Sequence, residues 1–139
     1  MTGRTFVAVR RAKFRGISGP VNIPRGTRLQ ESDGGVLVLD GRLVCTVNGA
    51  RGRDLFALDD DGQGILRGSL TCAIRNKLQC RDKDHQARWN CIWGSLMCKR
   101  YQNPDHEDHW LWNQAFYEAP IQDLQSIARL VGARSKEAV

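Results

Sequence analysis

The chain has no long apolar run. No stretch of its 139 residues approaches the ~18 needed to cross a bilayer, so neither a membrane span nor a membrane partner is expected. The N-terminal MTGRTFVAVRRAKF carries one short apolar run, Phe6 to Val9, and no small-residue cleavage site, which argues against a secretory signal. The chain also lacks a disulfide framework. Its five cysteines, Cys45, Cys72, Cys80, Cys91 and Cys98, are odd in number and irregular in spacing. Without an export signal they read as reduced thiols in a cytosolic compartment.

Several chemical signatures are missing too. Gly62, Gly64 and Gly68 are followed by no Gly-Lys-Ser/Thr, which excludes a P-loop reading. No HExxH pattern is complete, and no nucleophile with an oxyanion hole is visible. There is no internal repeat and no linker long enough to separate two domains. No cofactor is implied.

What is present is a folded composition, 41% hydrophobic and 26% charged, in a chain of single-domain size. The positive charge is unevenly placed. Residues 1–58 hold ten Lys and Arg against four Asp and Glu, whereas residues 59–139 hold eleven of each. A basic part joined to a neutral part suggests one face built to meet an anion.

The residue pattern predicts an α+β domain over 1–139: a basic β-rich part (1–48), a neutral helical part (49–133) and a frayed tail (134–139). TFVAVR (5–10) alternates as a strand. Residues 15–24, with Gly16, Gly19, Pro20 and Pro24, read as a loop. Gly26 supplies a turn before a strand at 27–31, and Asp33-Gly34-Gly35 turns into a strand at 36–39. Asp40-Gly41 is a tight hairpin signal before a strand at 42–47. A small antiparallel sheet or an SH3-like barrel over about 5–47 would accommodate these strands.

Four or five packed helices follow. Residues 50–58 read as a short helix and 64–79 as an amphipathic one. Residues 84–101 place Trp89, Ile92, Trp93, Leu96, Met97 and Tyr101 on one face. Asn103-Pro104-Asp105 looks like a helix start. The last helix begins at Pro120, buries Ile121, Leu124, Ile127, Ala128 and Val131, and stops at Gly132.

VNIPRGTRL (21–29), LDDDGQGILRGSLTCAI (58–74), RDKDHQARWNCIW (81–93) and EDHWLWNQAFYEAPIQDLQSIARLVG (107–132) resemble small proteins encoded in prophages and other mobile elements of gut Firmicutes. The resemblance spans about 5–133. It implies a phage-related protein in the cytoplasm of a bacterial host and carries over no catalytic residue.

Arg10, Arg11, Lys13, Arg15, Arg25 and Arg28 form the candidate anion- or nucleic-acid-binding cluster. Arginine suits bidentate phosphate contacts, but Phe14 is the lone aromatic within the run, so no base-stacking platform is indicated. The alternative is a solvated sheet edge whose charges discourage aggregation.

Asp59, Asp61, Gln63 and Gly64 match positions one, three, five and six of an EF-hand loop. The twelfth position, which should be a bidentate Glu, is Leu70. Helix capping and the helix dipole explain these acids without a metal. Cys91, Cys98, His106 and His109 are ordered like zinc ligands. On one helix, however, the two cysteines lie ~10.5 Å apart along the axis, too far for one tetrahedral zinc unless the helix breaks near Gly94. The aromatic residues Trp89, Trp93, Trp110, Trp112, Phe116 and Tyr117 read chiefly as core, with Trp110 and Trp112 as candidate partner contacts.

The expectation is therefore a non-enzymatic binding protein of phage or mobile-element origin. Its partner would be an anionic macromolecule (nucleic acid or nucleoprotein) or a host protein, and it could act as an inhibitor of a host defence system. The alternative is a small metal-dependent enzyme using His106 and His109, perhaps with Glu107. Oligomeric state is not readable.

Overall fold

The computed structural model describes residues 3–16, 19–46, 54–94, 101 and 114–135. They form an α+β arrangement in two compact units, residues 1–68 and 69–139.

The first unit is built on strands β1 (Thr5–Ala8), β2 (Ala12–Gly16), β3 (Gly19–Ile23), β4 (Arg28–Ser32), β5 (Val36–Leu39), β6 (Arg42–Thr46) and β7 (Phe56–Leu58). Five of them make an antiparallel sheet in the order β6-β5-β4-β1-β7, and β2 and β3 make a separate hairpin. The sheet is open: β6 and β7 are its two edges, so the barrel alternative does not hold.

Alternation explains the layering. Phe6, Ala8, Leu29, Leu37 and Phe56 from the sheet, and Ala12, Phe14, Val21 and Ile23 from the hairpin, form one buried cluster. Phe14 stacks on Phe56 with ring centroids 5.9 Å apart. The Asp40-Gly41 turn has positive φ at both residues, 52° and 78°, as a tight hairpin with right-handed strand twist requires.

One expectation fails here and another holds only in part. Within the segment 15–24 expected as a loop, residues 15–16 and 19–23 are strand, because β2 and β3 pair, with Phe14 opposite Val21 and Ala12 opposite Ile23. Pro20 is tolerated because it stands near the start of a strand in a two-stranded sheet, where a missing N–H disrupts no interior ladder. The short helix expected over 50–58 holds only in part: Asp54 and Leu55 are helical, but the segment's end is β7, which pairs Phe56, Ala57 and Leu58 with Ala8, Val7 and Phe6. The free N–H and C=O groups along β1 give this apolar triplet a ladder that propensity alone does not reveal.

Helix α1 (Gly64–Gln79) begins in the first unit and continues into the second. Its Gly64 and Gly68, one turn apart, allow close approach to β1. A Cβ at Gly64 would collide with Val7 Cγ1 and lie 2.7 Å from Asp59 Oδ1, and one at Gly68 would collide with Val9.

In the second unit, Leu70, Ile74 and Leu78 of α1 are buried at one helical face. Helix α2 (His85–Trp93) buries Trp89 and Ile92 and packs against α4 (Ile121–Val131). Between these two in sequence lies α3 (Gln114–Tyr117). The final helix matches its expected span, burying Leu124, Ile127, Ala128 and Val131, with Gly132 left-handed at φ 71°. Ile121 is only partly buried. Tyr101 donates a hydrogen bond to the buried carboxylate of Asp123. Helix α2 ends at Trp93 with Gly94 as its C-cap, short of the expected end at 101. Residues 95–100, the Asn103-Pro104 helix start and the tail from 136 onward lie outside the described residues. No helix among the described residues is long and apolar enough to cross a membrane.

Candidate functional site

The outer face of the β2–β3 hairpin is set by the period of two. In Ala12-Lys13-Phe14-Arg15 the apolar residues face the core, so Lys13 and Arg15 face outward, with Arg11 in phase and exposed. On β3, Val21 and Ile23 are buried while Pro20 and Asn22 are exposed. The register places Asn22 opposite Lys13 and Pro20 opposite Arg15. Lys13 and Arg15 thus stand about 6.7 Å apart along the strand, with Arg11 immediately before it, and β3 contributes no carboxylate. Among the described residues, no ion pair engages Arg11 or Arg15.

Two shallow depressions flank Asn22. One, of about 300 Å³, is lined by Arg11, Lys13, Asn22 and Pro24. The other, of about 380 Å³, is lined by Pro20, Val21, Asn22, Leu39, Asp40 and Arg42. Arg42 reaches this surface through the β5–β6 turn. No local pattern announced it, nor the central position of Asn22. The alternation Val21-Asn22-Ile23 was the signal that could have placed Asn22 outward.

The remaining basic candidates are elsewhere. Arg25 occupies the turn before β4, where Gly26 takes φ 91° and the Arg25 Nε donates to the Val9 carbonyl at 3.3 Å. Arg10 lies 3.6 Å from Asp54. Arg28 forks onto buried Asp59, its Nε and Nη2 donating to Oδ2 at 2.8 and 2.6 Å. The six residues therefore divide into an outward triplet (Arg11, Lys13, Arg15), a turn arginine, and two ion-paired arginines.

The acidic turn is occupied by protein donors. Asp59 Oδ1 accepts the Gly64 amide at 2.7 Å, capping α1, and Asp60 Oδ1 accepts the Thr5 amide at 2.7 Å. Asp61 accepts both arms of Arg67, at 3.1 and 2.6 Å, and the Gln63 amide at 3.0 Å. The Arg67 fork holds the Asp61 carboxyl down at about 2. Across the sheet, Arg4 donates twice to Glu31, each bond 2.8 Å, and this lowers the Glu31 carboxyl below the usual range.

The α1–α2 turn holds a second polar cluster. Arg88 donates to the Cys80 carbonyl and to Asp82, both at 2.8 Å, and lowers the Asp82 carboxyl. His85 contacts the Cys80 carbonyl through Nδ1 at 3.1 Å and meets Trp89 edge-on. Cys80 and Cys91 are exposed, and Phe116 and Tyr117 are buried in edge-to-face contact. Trp110, Trp112, Cys98, His106, Glu107 and His109, which carry the partner and metal readings, lie outside the described residues, as does the side chain of Trp93.

No known family model matches the chain, and neither does a curated protein or a solved structure.

Proposed function

We propose that this chain is a non-enzymatic binding protein that contacts the phosphate backbone of a nucleic acid through the outer face of the β2–β3 hairpin. One observation carries the reading: Lys13 and Arg15 on β2 and Arg11 just before it alternate outward, and β3 places no acid opposite the strand residues. Solvated surface charge in globular proteins is ordinarily of mixed sign. A single-sign row on a face anchored to the core concentrates counterions that a polyanion can displace. The sequence resemblance adds a phage or mobile-element origin and a bacterial cytoplasm, a setting in which such contact would serve an inhibitor of a host defence system.

Fluorescence anisotropy of a labelled nucleic acid titrated with protein at several salt concentrations tests this. Three phosphate contacts give a slope of about −3 for log association constant against log salt. The triple variant R11S/K13S/R15S should bring that slope toward zero while far-UV circular dichroism stays unchanged. Arg28→Ser should instead reduce stability, because it removes the partner of buried Asp59. Unchanged binding by the triple variant would overturn the reading.

A further inference from the structure

We propose that the β2–β3 ribbon engages duplex DNA in the major groove. The outward Lys13–Asn22 pair faces base edges, and Arg11 and Arg15 reach toward the flanking phosphates. This rests on the polyanion reading above and narrows its ligand.

Dimensions come first. Two paired strands lie ~4.8 Å apart and five residues extend about 17 Å, while the major groove is ~12 Å wide and admits a two-stranded ribbon. The ribbon is preformed, because Ala12, Phe14, Val21 and Ile23 fix its inner face to the buried cluster. Binding therefore requires little ordering of the backbone.

Chemistry comes second. The outer face offers the side chains whose donors and acceptors match purine edges in that groove: Arg or Lys for guanine O6 and N7, and Asn for adenine N6 and N7. Lys13 and Asn22 are direct cross-strand partners, next to the terminal Ala12–Ile23 pair of the register, and Arg15 is the next outward residue along β2. A ribbon about 17 Å long lies along a groove ~12 Å wide, so Arg11 and Arg15 follow Lys13 along its length, and their long side chains can reach the phosphates at its rims while the shorter Asn22 side chain faces the floor.

The third point separates duplex from single strand. Single-stranded nucleic acid is held by bases stacking on exposed aromatic rings. The aromatic residue of this ribbon, Phe14, faces inward and is buried against Phe56. Pro20, Asn22 and Pro24 occupy the outer positions instead, so this face offers an unpaired base no aromatic ring to stack on.

The test uses the full chain and three anisotropy probes: a labelled mixed-sequence duplex of about two helical turns (~20 base pairs), each of its separated strands, and the same duplex with bulky C5 substituents on its cytosines. The substituents fill the major groove and leave the phosphates and the minor groove unchanged. The duplex should bind about tenfold or more tighter than either strand, and the substituted duplex should lose about tenfold or more, the worth of one or two base-edge contacts. Equal binding of strands and duplex, or an unaffected substituted duplex, would overturn the groove assignment. If either result comes with binding still abolished by R11S/K13S/R15S, the polyanion reading stands and the groove inference alone falls. If no probe binds, both fall.

Discussion

Asp61 and Arg67 show how one residue pair joins a turn to a helix. Arg67 is 3% exposed and Asp61 48%, so the cation is buried while its partner remains in partial contact with water. The Arg67 guanidinium also donates to the Leu58 carbonyl at 2.6 Å, tying α1 to the end of β7. The Asp61 carboxyl, ordinarily near 3.8, is held at about 2 in the folded chain. Its stabilising contribution is therefore complete above the unfolded value and is lost as pH falls from about 4 through about 2. Asp61→Asn should cost about 1–2 kcal/mol at neutral pH, less than a fully buried pair because solvent screens the exposed carboxylate. Thermal unfolding followed by circular dichroism checks it: the variant's midpoint should change less than wild type between pH 4 and pH 2.

Gly68 gives a second test at this scale. Alanine there gains about 1 kcal/mol of helix propensity, but its Cβ would overlap Val9 Cγ1 and lie 2.9 Å from Val9 Cβ, and overpacking costs about 1–3 kcal/mol. Gly68→Ala should lower the urea midpoint, and Val9→Ala in the same chain should restore part of it. That a glycine stands inside a helical pattern at 68 was legible in the sequence. Its partner was not, because Val9 is brought there only by the position of β1.

Among the elements, legibility followed how local the determining interactions are. Helix α4 appeared in its expected place, since its apolar period, Pro120 and Gly132 all lie within or beside the segment. The hairpin was hidden by Gly19 and Pro20, which signal a loop locally and are overridden by the burial of Phe14, Val21 and Ile23. Strand β7 is three residues long and has no period of its own, so its conformation comes from the edge of β1. Phe14→Ala should destabilise the first unit by about 3–5 kcal/mol, through lost burial and the lost Phe56 contact. The same variant should weaken nucleic-acid binding, because the outer face depends on the inner one for its shape. Chemical denaturation and anisotropy on one preparation check both; full binding in a destabilised protein would separate the ribbon's shape from its packing.

At the scale of the whole molecule, the excess charge of residues 1–58 makes a directional prediction. Arg11→Ser should weaken binding and reduce the salt slope by about 1. Arg129→Ser, an exposed change in the neutral part, should leave both unchanged, with anisotropy across a salt series as the measurement. Equal effects would mean that net charge, not the hairpin face, governs association.

The amino-acid sequence alone determined the α+β class, the strand-then-helix order, the Asp40-Gly41 turn, the capping role of the acidic turn, and the location of the basic excess. Each of these follows from periods, turn chemistry or counting, which act over a few residues. Only the tertiary structure decided that the sheet is open and that 12–23 is a paired ribbon. It also sorted Arg10 and Arg28 into ion pairs while leaving Arg11, Lys13 and Arg15 in a row. These outcomes depend on partners distant in sequence, as in Arg28 with Asp59, Arg10 with Asp54, and Phe14 of the ribbon with Phe56. The free energy of such contacts is set by burial and geometry, which no local pattern contains.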